Sequence, residues 1–169
     1  MKPFEELSRE DLIKLINVYA KNWLAHDGCW FLAVEERYGL EEAIELDANA
    51  WHRFAEIEAT RIMNAFDIQL GGGLQALEKV LQHRLYAAIN RQNVEWVGDK
   101  KFIFKMLECK VQQARRRKKL PDFPCKPVGM VEFSRFAWAV DPRIKMTCIS
   151  CPPDPVGEFF CGWEFTIED

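Results

Sequence analysis

Apolar positions in the first ninety residues recur every three or four places, the spacing of one helix face. Leu12, Leu15, Ile16, Tyr19 and Trp23 predict a first helix from about Arg9 to Ala25. Ser8 is placed to cap it, with Asp11 where a capping box would carry Glu. His26-Asp27-Gly28 predicts a break, followed by a short helix from Cys29 to Tyr38 that Gly39 ends as a left-handed cap. Leu40 to Phe66 is the longest helical pattern. Ala43, Leu46, Ala50, Phe54, Ile57 and Arg61 form one row, and Glu41 and Glu42 stand in the first turn, where the helix dipole favours anions. Gly71-Gly72-Gly73 reads as a flexible break. It is no phosphate loop, because no Lys-Ser/Thr follows it and no strand precedes it. Leu77, Leu81, Leu85 and Ile89 predict a fourth helix from about Leu74 to Asn90.

The period then changes to two. Val94 and Trp96, then Phe102, Phe104 and Met106, flank Gly98-Asp99 and predict a hairpin. Cys109 to Lys119 reads as a helix ending in five basic residues, Pro121 to Pro124 as a stiff connector, and Val128 to Val140 as another helix stopped by Asp141-Pro142. Arg143 to Ile149 and Glu158 to Ile167 predict two last strands around a Pro-rich loop. Four helices followed by β-β-α-α-β-β imply an α+β fold, N-terminal helices packed with a mainly antiparallel sheet. The expectation is a single domain over residues 1–169, helical over residues 1–91 and Cys-rich α+β over residues 92–169.

Composition narrows the function. The chain has 169 residues and a net charge of −3, which argues against non-specific nucleic-acid binding. No apolar run approaches the ~20 residues of a membrane span, and the acidic start Met1 to Glu6 has no signal core. A cytoplasmic protein is expected. Thiols stay reduced there, so six Cys argue for metal or reactive thiols over disulfides.

Four cysteines carry the strongest chemical signal. Cys125, Cys148, Cys151 and Cys161 give C-x22-C-x2-C-x9-C. A Cys-x2-Cys loop can point two sulfurs at one ion, Cys161 enters the adjacent strand, and Cys125 precedes a helix whose free amides favour a thiolate. Zinc is the expected ion, held in a closed structural site. Lys126, Arg143 and Lys145 are candidates to offset the negative charge of a tetrathiolate. Cys109 is an alternate ligand, and an iron–sulfur cluster is the alternative cofactor. The plainer reading is small buried residues, since free Cys is among the most buried types.

The segment C-x2-C-x9-C-x-W-x-F resembles the closing motif of the four-vinyl-reductase domain family, and Cys125, Cys148, Cys151 and Cys161 fall on that family's zinc positions. The loop differs: Pro152-Pro153-Asp154 stands where the family has Gly-Asp. Trp23-Leu24-Ala25-His26-Asp27-Gly28, Cys109 to Arg115 and Cys161 to Phe165 also resemble an uncharacterised bacterial cytosolic family distantly similar to the aminothiazoline-carboxylate hydrolases. Both resemblances imply the ligand-binding fold of nitric-oxide-signalling and Golgi-transport proteins, with an apolar pocket between helices and sheet.

The leading functional reading is therefore a protein that binds an unidentified small molecule, with structural zinc pinning the C-terminal strands. A hydrolase of small carboxylated or heterocyclic substrates is the alternative, with His26, Asp27 or Cys109 near the chemistry and His26 and Asp27 as catalytic candidates, because a His beside a carboxylate can act as a general base. That reading requires His26 to face a pocket. A dimeric interaction subunit, a homodimer through the helical half, is the third. His52 and Glu56, one turn apart, are a weaker metal or base pair. Cys29 is expected in the core, most of the many Trp and Phe in the core or a pocket, and Arg115 to Lys119 on a solvated helix end.

Overall fold

The computed structural model describes residues 4–168. In chain order its elements are α1 (Arg9–Tyr38), α2 (Leu40–Ala65), α3 (Gly73–Leu81), a 3-10 turn (Leu85–Ala88), β1 (Arg91–Trp96), β2 (Lys101–Glu108), α4 (Lys110–Arg117), α5 (Lys126–Val140), β3 (Ile144–Ser150) and β4 (Cys161–Ile167). The fold is α+β, and its four strands form one antiparallel sheet in the order β1-β2-β4-β3.

Helix α1 starts as its sequence dictates: the Ser8 side chain accepts the Asp11 amide at 3.1 Å. The expected break at His26-Asp27-Gly28 is absent, and α1 runs through it. One glycine in a helix costs only about 1 kcal/mol relative to alanine. Ring packing on both sides outweighs that cost. Trp23 stacks on Phe54 at 6.0 Å and meets Trp51 and Tyr86 edge-on, and Phe31 meets Phe123 at 4.9 Å. Gly39 then reverses the chain at φ 91° and ψ 167°, a conformation reserved for glycine. Its N–H donates to the Glu35 carbonyl at 2.9 Å and its carbonyl accepts from Ala43, so one residue closes α1 and opens α2.

The fourth helix is shorter than its leucine spacing predicts. It stops at Leu81, and a 3-10 turn follows. The cause is Arg84, which turns inward and is fully buried, reaching Glu58 on α2 and Glu132 on α5. The Leu85 amide donates to the Glu58 carboxylate at 2.7 Å and holds the turn. The triple glycine is also no loose link. The Gly71 amide donates to the Val140 carbonyl, the Gly73 amide to the Asp141 carboxylate at 3.0 Å, and Arg143 grips the Gly71 carbonyl.

The sheet turns its alternating apolar face inward. Cross-strand pairs Phe102–Phe165, Phe104–Trp163 and Met106–Cys161 lie on that face, and Cys148 sits opposite Trp163. Helix α5 covers them, with Phe133 stacked on Trp163 at 4.7 Å. Val128, Phe136 and Val140 of α5 are also buried, and α2, with Ala55 and Ala59 buried, packs against α5. The buried apolar side chains form one cluster from Trp51 to Phe165. Ile13 and Ile16, in the first turns of α1, remain exposed. Among the described residues no helix is long and apolar enough to cross a membrane.

Candidate functional site

A cavity of about 580 Å³ lies between the α1–α2 hairpin on one side and α4, α5 and the inner face of the sheet on the other. Each wall follows from an element already described. The unbroken α1 contributes Leu24 and Phe31, α2 contributes Trp51, α5 contributes Val128 and Phe133, and β4 contributes Trp163. Few polar side chains reach the interior: Asp27 from α1, Asp47 from α2 and Glu132 from α5 are the acidic ones. Lys21, Arg117 and Lys118 also line it but are exposed, which places them at the rim. An apolar cavity with a few convergent polar groups is the usual form of a small-molecule site.

The three carboxyls sense one another. Burial pushes the Asp47 carboxyl up to about 7, helped by the charges of Asp27 and Glu132 and opposed by a hydrogen bond from Trp51. Burial raises Asp27, against the pull of the adjacent His26. Burial also raises Glu132, while Arg84 pulls the other way. The Arg84 guanidinium is held charged by Glu132 and Glu58 in spite of its burial, and it lies within 6 Å of the rings of Trp51, Tyr86, Phe133 and Phe136. It is not itself part of the lining but pairs with Glu132, which is.

The cysteines form a second group in the lining, close enough for the charge of Glu132 to reach Cys125. Cys109, Cys125, Cys151 and Cys161 all line the cavity. The sulfurs of Cys125 and Cys151 are 3.5 Å apart, and Cys161 is a second hydrogen-bonding neighbour of Cys151. Cys125 caps α5, and Gln112 holds it in place by donating to its sulfur at 3.7 Å and to the Phe123 carbonyl at 2.8 Å. Its pKa is lowered chiefly by the Cys151 thiol. Burial pushes Cys109 up to about 12. Cys148 is half-buried on β3, outside the cavity lining but near enough to feel Cys161 and Cys125. Among the described residues no group of three or more His, Cys, Asp or Glu is arranged to hold a metal ion. Of the three basic residues expected to balance a metal site, Lys126 alone stands beside the thiols, bonded to Asp154 at 2.9 Å, and that carboxylate also accepts the Cys151 amide. Arg143 is taken by Asp141 and Lys145 by Glu168.

The structure separates other pairs that the sequence put together. Asp27 faces the cavity, but His26 is exposed and forms no part of its lining. His52 is exposed, and Glu56 pairs with Arg135 on α5 instead. Cys29 is exposed rather than buried, because the face of α1 that carries it looks outward at the cavity mouth. The basic run divides. Arg115 is buried, donates twice to Glu35 at 2.6 and 3.0 Å and also holds the Pro121 carbonyl, so it clamps α4 to α1. Arg116 pairs with Asp122, and residues 117–119 are exposed. Among the tryptophans, Trp51 and Trp163 are buried, whereas Trp30 and Trp138 are exposed.

Asp47 and Glu132 escaped the sequence reading. Glu132 did carry a signal: it interrupts the apolar row Val128, Phe136, Val140 at i+4 spacing. Asp47 carried none, since an acidic residue in a mixed helix is ordinarily solvated.

A model of a family of unknown function, DUF6125, matches residues 5–167. The chain belongs to that family. No curated protein and no solved structure matches it. The match runs across both the helical region and the Cys-rich region, so the family is defined over the whole cavity-forming architecture.

Proposed function

We propose that the protein binds a small, mainly apolar organic molecule in the cavity between the helical hairpin and the sheet, and that zinc held by its cysteines fastens one end of that cavity. The observation that carries the binding reading is the cavity itself: about 580 Å³, walled by rings and aliphatic side chains, with polar groups converging from three helices. The α+β fold suits the resemblance to zinc-containing ligand-binding domains. The free thiols of all six cysteines suit a reducing, cytoplasmic setting.

The zinc reading rests on one edge of the coordination sphere. A tetrathiolate with Zn–S bonds of about 2.3 Å has sulfur–sulfur edges of about 3.8 Å. Cys125 and Cys151, at 3.5 Å, already approximate one edge, with Cys161 adjacent to Cys151. The fourth ligand is Cys148 or Cys109, and the side chains would turn to close on the ion. Zinc there would join the α5 N-terminus to the Cys151 loop and β4. A hydrolase reading, by contrast, would have to rely on Asp27 or Asp47 without His26.

Titration with the uncharged dye N-phenyl-1-naphthylamine tests the binding reading. One dye per chain at micromolar affinity, with slowed labelling of the cavity thiols Cys109 and Cys151, is expected. No fluorescence enhancement and unchanged thiol labelling would overturn it. Elemental analysis tests the metal reading: about one zinc per chain supports it, iron with visible absorbance redirects it to a cluster, and no metal removes it.

A further inference from the structure

We infer that the ligand is an organic cation, an amine with an apolar body whose ammonium group sits among Asp27, Asp47 and Glu132. The inference rests on the binding reading above and adds the chemical class.

The first argument is depth. The acidic side chains are buried or half-buried, whereas Lys21, Arg117 and Lys118 stand exposed at the rim. Exposed charges are screened by solvent and salt, and buried ones are not. The field inside the cavity is therefore set by the acids. The remaining cations of the lining are neutralised by their own partners: Lys110 is bonded to Glu108 and Gln113, and the buried Arg115 is held by the Glu35 carboxylate.

The second argument is local charge. Asp27, Asp47, Glu58 and Glu132 share one buried cation, Arg84, and it is committed to Glu58 and Glu132. Asp27 has no hydrogen-bond donor among the described residues, and Asp47 has only the Trp51 side chain. A partly buried carboxylate without a partner is costly, and a ligand ammonium supplies the missing partner. The ring faces of Trp51 and Tyr86 border the same end and favour a cation over a neutral group.

The third observation is the enclosure of Glu132: it is 8% exposed and lines the cavity, and among the described residues only one of its carboxylate oxygens is bonded, to Arg84, which leaves the other for a donor on the ligand.

The test is displacement of N-phenyl-1-naphthylamine by three matched probes: 2-phenylethylammonium, 2-phenylethanol and phenylacetate. At pH 8 the ammonium should displace the dye at concentrations at least about tenfold lower than the alcohol, a difference of about 1.4 kcal/mol, and phenylacetate should be weakest. The advantage should shrink severalfold by pH 6. Asp47 then takes up a proton, with Asp27 from α1, Glu132 and its partner Arg84, and Tyr86 facing it, while the ligand amine stays protonated. In Asp47→Asn, checked for folding by circular dichroism, the preference for the ammonium should fall at pH 8. Equal displacement by alcohol and ammonium, or a preference for phenylacetate, overturns the inference and leaves the cavity reading intact. Failure of the dye itself to bind removes both.

Discussion

Gly129 on α5 lies flat against the Trp163 indole on β4: a Cβ built at Gly129 would stand 2.6 Å from the ring carbon Cζ2. The ring cannot withdraw, because Phe133 is stacked on it and the whole residue is buried. Gly129→Ala should therefore destabilise by about 1–3 kcal/mol through overpacking, although alanine is the better helix former. Gly28 on α1 is the control, since its Cβ would meet nothing within 4 Å. Gly28→Ala should raise stability by up to about 1 kcal/mol. Urea melts of the two variants should shift in opposite directions, and equal shifts would contradict the packing described here.

Arg84 and Glu132 are the costliest pair to separate. Glu132→Ala leaves a buried guanidinium with Glu58 at 3.5 Å as its remaining ion-pair partner. Breaking a buried pair costs about 3–5 kcal/mol, whereas replacing both members by apolar groups is often tolerated. Glu132→Leu combined with Arg84→Met should regain much of the stability lost in Glu132→Ala. A double variant less stable than the single one would show that the pair does more than neutralise charge.

The acidic end predicts a pH signature in the unliganded protein. The Asp47 carboxyl, about 7 in the folded state, lies above its unfolded value, so the folded protein binds the proton more tightly. Its unfavourable contribution is absent below the unfolded value near pH 4 and fully present above pH 7. Asp47→Asn should raise the melting temperature at pH 8 and leave it nearly unchanged at pH 4. Differential scanning fluorimetry across that range checks this, and an equal shift at both pH values would argue against a strained carboxylate.

The metal reading predicts that Cys151→Ser loses bound zinc and melts well below the parent protein, because metal-binding energy in such sites is folding energy. Cys109→Ser and Cys148→Ser then identify the fourth ligand: the variant that loses zinc carries it. Unchanged zinc content and melting temperature in Cys151→Ser would contradict the site.

Much of the fold was legible because local signals and packing agree in it. Ser8, Gly39 and Asp141 end their helices as their residue types dictate, and the alternation Phe102, Phe104, Met106 yields a half-buried strand. The misreadings have the opposite cause. Gly28 and Asp27 look like a break, but Trp23 and Phe31 are packed on either side and carry the helix through. The apolar row Leu77, Leu81, Leu85, Ile89 looks continuous, but one arginine, Arg84, turns the chain inward. Spacing singled out Cys125, Cys151 and Cys161, which line the cavity, together with Cys148, which does not. The acidic group could not be read from spacing, because Asp27, Asp47 and Glu132 come from three helices and meet only in the folded chain.

The most direct test of the central claim is to fill the cavity from Gly28. This residue lines the cavity in the middle of α1, with open space where a side chain would go. Gly28→Phe should keep the helical circular dichroism of the parent, yet bind N-phenyl-1-naphthylamine at least about tenfold more weakly, while Gly28→Ala binds it as the parent does. Parent-like dye binding by folded Gly28→Phe would contradict the assignment of this cavity as the ligand site.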